Sequence, residues 1–150
     1  MIATIEPVVE TLQILETDID RYEYIIELGD SLKGITVNEL LNEENYVPGC
    51  QSDVWLHHLI EDDTLQFYAH SDSKIVRGLL YILTEAFSGY TPNEMLNFNM
   101  SAIQKIPLGA QLSMQRQIGM MSVFKKMQYL AKQYTASAVS YTHLRAHETS

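Results

Sequence analysis

The 150-residue chain carries 19 acidic against 10 basic side chains for a net charge of −9, is 46% hydrophobic, and holds a single cysteine. That length and apolar content suit one compact domain with its own core, and one cysteine excludes an intrachain disulfide or a zinc site built from several cysteines. The charge is uneven: fifteen acidic residues stand against Arg21 and Lys33 up to Asp63, giving −13, while four acidic and eight basic residues from Thr64 onward give +4. An acidic half of this size repels a phosphate backbone and keeps the protein soluble, so no nucleic-acid partner is expected.

Met1–Pro7 lacks the basic start and apolar run of a secretory signal, and no stretch approaches membrane-spanning length, so no membrane association is expected. Together with the lone thiol this points to a reducing compartment, the cytoplasm. Thr4 with Pro7 predicts the start of a first helix, in which Val8, Val9, Leu12 and Leu15 recur at helical spacing. Asp18 is the candidate cap of a second helix with an apolar stripe of Ile19, Tyr22, Ile25, Ile26 and Leu28, ended by Gly29 or Gly34.

An Asn- and Glu-rich loop then leads to Tyr46-Val47-Pro48-Gly49-Cys50. Proline sets the second position of a type II turn and glycine accepts the positive φ of the third, so Cys50 leaves the turn in a defined direction. A thiol so presented has two readings, a reactive group or an inert packing residue. Bulky residues from Ser52 to Leu59 and from Leu65 to His70 predict two strands joined through Glu61-Asp62-Asp63 as a hairpin.

Ser71 or Asp72 is the candidate cap of a central helix, apolar over most of its surface from Ile75 to Phe87 and stopped by Gly89. Thr91-Pro92-Asn93-Glu94 combines a cap, a proline at the first turn and a capping-box glutamate, so a short helix follows. Ser113 can cap the last helix, whose predicted core face is Ile118, Met121, Phe124, Met127 and Leu130. After Thr135 the periodicity fails. Residues 137–150 resemble translated vector or adaptor read-through, non-native or disordered, and the spacing of His143 and His147 in such a tail is not taken as a metal site. Residues 1–136 form the expected single domain.

There is no Gly-rich phosphate loop, no Gly-x-Ser-x-Gly elbow and no His-Glu-x-x-His. His57 and His58 are candidate bases for a thiol nucleophile, but neighbouring side chains on a strand point to opposite faces, so at most one could serve a given site. Arg77 and Arg116 are candidates for favouring a thiolate, beside ordinary salt-bridging roles.

Three segments in order, Tyr24-Ile25-Ile26-Glu27-Leu28-Gly29, Val47-Pro48-Gly49-Cys50-Gln51-Ser52-Asp53-Val54-Trp55-Leu56 and Ser71-Asp72-Ser73-Lys74-Ile75-Val76-Arg77-Gly78, closely resemble the SufE family of cysteine desulfuration proteins. The resemblance continues through Thr91-Pro92 and Leu112-Ser113-Met114-Gln115-Arg116 and spans roughly Asp18 to Tyr134. It implies an α+β fold, a small antiparallel sheet packed against several helices, of the SufE/IscU-like kind.

The resemblance also implies a sulfur relay. Cys50 matches the position that accepts a persulfide sulfur from a partner cysteine desulfurase and passes it to an iron–sulfur cluster scaffold. Asp72 matches the aspartate that influences how the cysteine loop is held, Arg116 the arginine that starts the last helix and supports loop or thiolate, and Arg77 a basic family position. Gly49 is the natural hinge of a loop expected to swing outward on docking. The chain itself is expected to carry no cofactor and no metal, with pyridoxal phosphate on the desulfurase, and to act as monomer or homodimer rather than as an independent enzyme. A non-catalytic desulfurase activator is the alternative; a cluster scaffold is disfavoured because one cysteine cannot supply its thiolates. His70 where an acidic residue is usual, and Met114-Gln115 in place of Pro-Ser, are departures from the family pattern.

Overall fold

The computed structural model describes residues 3–32, 39, 41–99 and 101–149, with side chains described for these except 3, 102 and 136–149. In chain order it contains α1 (Glu6–Ile14), α2 (Asp18–Gly29), β1 (Val54–Glu61), β2 (Thr64–Ser71), α3 (Lys74–Phe87), α4 (Pro92–Asn97), α5 (Ser101–Gln104) and α6 (Met114–Thr149), with short 3₁₀ turns at Ala3–Ile5 and Gly109–Gln111. This is the expected α+β arrangement. Gly34 lies outside the described residues.

β1 and β2 form an antiparallel pair in register Val54↔Ser71 through Glu61↔Thr64. Asp62 and Asp63 make the connection with φ of 50° and 64°, the left-handed pair of a tight hairpin turn that aspartate tolerates better than most residues. Alternation places Leu65, Phe67, Ala69 and Ser71 of β2, with Val54 and Leu56 of β1, against the core, while Leu59 and Ile60 at the far end of β1 stay exposed.

Beside the start of β1 runs Asn45–Val47, held by Leu56 N to Asn45 O at 2.7 Å and Val47 N to Val54 O at 2.8 Å. The cysteine segment is therefore a loop between two paired strands of chain.

α3 is the central helix: Ile75, Leu79, Leu80, Ile82, Leu83, Ala86 and Phe87 are all buried. It crosses α2 at glycines. A Cβ on Gly78 would lie 1.9 Å from Ile25 O, and one on Gly29 would lie 3.0 Å from both Arg77 Cβ and Gly78 N. Two of the sequence segments that carry the family resemblance thus meet where only hydrogen atoms fit between backbones.

Thr91 and Glu94 form the expected reciprocal capping box on α4. Three expectations are corrected. The cap of α2 is Thr17, whose side chain accepts from Asp20 N, and Asp18 falls in the first turn. The cap of α3 is Ser73, accepting from Val76 N, because Ser71 is the last paired residue of β2 and the chain turns only after it. Ile19 and Ile118, read as core, are 71% and 50% exposed. The backbone of α6 continues to Thr149.

Candidate functional site

Gly49 takes φ +91°, as the third position of the predicted turn requires, and a Cβ there would lie 2.9 Å from Ser122 Oγ. Both the left-handed dihedral and the close approach to α6 call for glycine. The turn aims Cys50 back at the same helix. Its thiol donates a long, weak hydrogen bond to Gly119 O at 3.7 Å, and a Cβ on Gly119 would meet Sγ at 3.6 Å, an ordinary van der Waals contact.

Cys50 stands half-buried at a cavity of about 90 Å³ between α3 and α6. Val76, Leu79, Leu83, Met120 and Val123 make its apolar wall, while Ser73, Gln115 and Arg116 supply polar groups to the lining. The space exceeds the ~10–15 Å³ that one water needs, so an added sulfur atom fits beside the thiol.

Burial pushes the Cys50 thiol above its ordinary value, because the thiolate is the form that loses hydration. The sign is testable with a small alkylating reagent, since Cys50 is the one cysteine of the chain. The rate on folded protein is expected to be several-fold below that of the unfolded chain at neutral pH, and its midpoint should lie at higher pH. A midpoint equal to that of the unfolded chain would contradict burial as the control. In stability terms a raised folded value contributes below the unfolded pKa and is lost as pH rises through the folded one.

The other sequence candidates separate. Arg116 lines the cavity with Cys50, its backbone N–H capped by Ser113 Oγ at 3.3 Å and its Nη1 donating to Gln111 O at 3.1 Å; the guanidinium is tied to the chain before α6. Asp72 is not among the cavity-lining residues. Its side chain is 82% exposed and pairs with His70 Nε2 at 3.6 Å, and within the Ser-Asp-Ser segment it is Ser73 that reaches the cavity. Any influence of Asp72 on the loop passes through the β2–α3 turn.

Arg77 points to α2, with Nη2 3.5 Å from Gly29 O. His57 contacts Asn45 on one face of β1, and His58, lowered chiefly by burial, stacks edge-on with Tyr134 on the other. Neither lines the cavity.

Sequence reasoning missed the supports of the loop. Lys126 Nζ donates to Glu44 O at 2.7 Å and Tyr46 O at 3.0 Å, stapling the incoming strand to α6. Tyr46 Oη donates to Asp53 Oδ1 at 3.0 Å across the loop base, and its ring meets Trp55 edge-on at 5.9 Å. A phenol and a carboxylate placed either side of a Pro-Gly turn, at positions that antiparallel pairing brings together, were the available signal.

Among the described residues, no group of three or more His, Cys, Asp or Glu could hold a metal ion, and no helix is long and apolar enough to cross a membrane.

Residues 6–131 match the family model described as SufE, Fe-S metabolism associated domain. The chain is 36% identical over 135 residues to a protein of Rhizobium etli named as an uncharacterized SufE-like protein, covering 87% of this chain and 90% of that one. It is 32% identical over 108 residues to the cysteine desulfuration protein SufE of Wigglesworthia glossinidia brevipalpis, covering 71% and 74%, and 33% identical over 103 residues to the sulfur acceptor protein CsdE of Escherichia coli, covering 67% and 69%. A solution structure of a hypothetical protein from Thermus thermophilus superposes with a TM-score of 0.70 at 16% identity, over 89% of this chain and 96% of that one, a likeness of fold.

Proposed function

The chain belongs to the SufE family, and from that premise we propose that it is a sulfur acceptor and carrier. Cys50 takes sulfane sulfur from the persulfide of a cysteine desulfurase, stimulates that enzyme by clearing it, and delivers the sulfur to an iron–sulfur cluster scaffold. The observation that carries the reading is the placement of the chain's one thiol on a glycine-hinged loop, with its sulfur against an apolar cavity large enough for one more atom.

The chemistry asks little of the site. The Cys50 thiolate attacks the outer sulfur of the donor persulfide; a new S–S bond forms, the donor S–S bond breaks, and the donor cysteine leaves as thiolate. One sulfur moves with no net oxidation, and the proton released when Cys50 ionises goes to solvent or to the departing thiolate. Neither a metal nor a histidine base is needed, which suits the distance of His57 and His58 from the cavity lining.

Burial sets two demands against each other. A persulfide held in the cavity is shielded from reductants and oxidants, yet a buried thiol is poorly ionised and cannot reach a donor. The loop therefore opens at Gly49 on docking, as Cys50 leaves Gly119 and enters the desulfurase. Met114 and Ile118, 78% and 50% exposed, lie on the same face of α6 as Ser122, against which Gly49 rests, and give the docking side an apolar rim.

The test is to incubate the protein with a cysteine desulfurase and free cysteine and weigh it intact without reductant. The expected result is a gain of one sulfur atom, removed by reductant and mapped to the peptide containing Cys50. No added sulfur under conditions in which the desulfurase turns over would overturn the proposal.

A further inference from the structure

We propose that Tyr46 and Asp53 are positioning residues for sulfur transfer, a latch whose phenol-to-carboxylate hydrogen bond holds the Cys50 loop closed over its cavity. The inference rests on the loop-opening reading above. The loop between the paired residues Val47 and Val54 has a rigid base: Val47 N–H to Val54 O at 2.8 Å on one side and the Lys126 staple to Glu44 and Tyr46 carbonyls on the other. Above that base, among the described residues, two side-chain bonds restrain the loop. One is the weak thiol contact to Gly119 O, which is lost whenever Cys50 leaves. The other joins Tyr46 Oη to Asp53 Oδ1 at 3.0 Å, one residue outside the base on the incoming side and one residue inside it on the outgoing side.

Tyr46 is built to be a fixed post. Its backbone pairs with Trp55, its carbonyl is held by Lys126, and its ring rests against Trp55, so the phenol oxygen is anchored independently of the loop. Asp53 is exposed and belongs to the segment that must move. The bond thus ties a movable carboxylate to an immobile donor, and breaking it costs the fold nothing beyond the loop. The Tyr46 proton is held more firmly than in a free phenol, chiefly because of the hydrogen bond to Asp53 and its charge, which agrees with this geometry.

The test uses Cys50 as its own reporter. In Tyr46→Phe, which keeps the ring on Trp55, and in Asp53→Ala, alkylation of Cys50 in the isolated full chain is expected to rise about two- to tenfold, the factor one net hydrogen bond is worth. Asp53→Asn, whose amide oxygen still accepts, should restore the rate to within about twofold of wild type, and the Tyr46→Phe/Asp53→Ala double variant should react no faster than either single one. Unchanged melting and Trp55 fluorescence establish that the fold is intact.

An opened loop also raises the docking-competent fraction, so the concentration of protein giving half-maximal desulfurase stimulation should fall by the same factor, with the maximum unchanged. Alkylation rates that stay at the wild-type value, or single effects that multiply in the double variant, would overturn the latch. A faster alkylation with no change in half-maximal concentration would keep the latch and overturn the requirement for loop opening.

Discussion

Cys50→Ser is expected to take up no sulfur at all from a cysteine desulfurase, while folding normally. Serine is nearly isosteric, but its hydroxyl is not appreciably ionised at neutral pH and cannot become a persulfide. The substitution loses the weak contact to Gly119 O and places a hydroxyl against apolar walls, a cost of about 1 kcal/mol or less at a half-buried position, equivalent to a melting shift of about 2–4 °C. Intact mass after incubation with desulfurase and cysteine reads the sulfur, and turnover of the desulfurase reads the stimulation. Loss of both supports the carrier. Stimulation that survives in Cys50→Ser would favour the activator, in which docking alone speeds the enzyme. A gain of sulfur mass on the variant, which has no thiol left to hold a persulfide, would leave no role for Cys50. The difference in stability between wild type and Cys50→Ser should also change with pH, since the contribution of a buried neutral thiol fades as pH rises through its elevated folded value.

How far the sequence foretold the site depends on the range of the interaction. The Thr91-Pro92-Asn93-Glu94 start of α4 was legible in full, because a capping box closes within four residues and needs nothing from the rest of the chain. The left-handed Gly49 was legible for the same reason. The caps of α2 and α3 were each misplaced by one or two positions. Thr17 and Asp18 are equally good local candidates for α2, as are Ser71, Asp72 and Ser73 for α3, and at α3 what chooses is the pairing of Ser71 with Val54, which ends β2. Periodicity likewise assigned Ile19 and Ile118 to the core because it reports which residues share a face, not whether anything covers that face.

The cavity was out of reach of local reasoning. Its thiol and its glycine floor, Cys50 and Gly119, are 69 residues apart, and nothing in either neighbourhood names the other. Family resemblance pointed to Cys50 as the acceptor position but also drew attention to Asp72, which the structure leaves exposed beside His70, and passed over Tyr46 and Lys126, which bond to Asp53 and to the chain entering the loop. The glycines of the two resembling segments, Gly29 and Gly78, bring α2 against α3, while the second segment also carries Ser73, Ile75 and Val76 to the cavity and the rest of α3 adds Leu79 and Leu83. Their shared pattern is a packing constraint that supports the site from behind.

That constraint sets a large stability effect. Gly78→Ala should destabilise the fold by about 3 kcal/mol or more, lowering the melting temperature by about 10 °C. The new methyl carbon would stand 1.9 Å from Ile25 O and 2.6 Å from both Ile25 C and its Cγ2. The obstruction is backbone on the facing helix, so no rotamer change relieves it, and α2 must move off α3 along a crossing where Ile25 and Leu79 are fully packed. The gain in helix propensity from glycine to alanine, about 1 kcal/mol, is too small to compensate. Gly119→Ala makes the internal control. It is the same chemical change in the interior of α6, yet its nearest non-local neighbour is the Cys50 sulfur at 3.6 Å, an ordinary contact, so the propensity gain is unopposed and melting should stay level or rise. A thermal unfolding comparison decides it: if the two alanines behave alike, the tight α2–α3 crossing is not what requires a glycine at position 78.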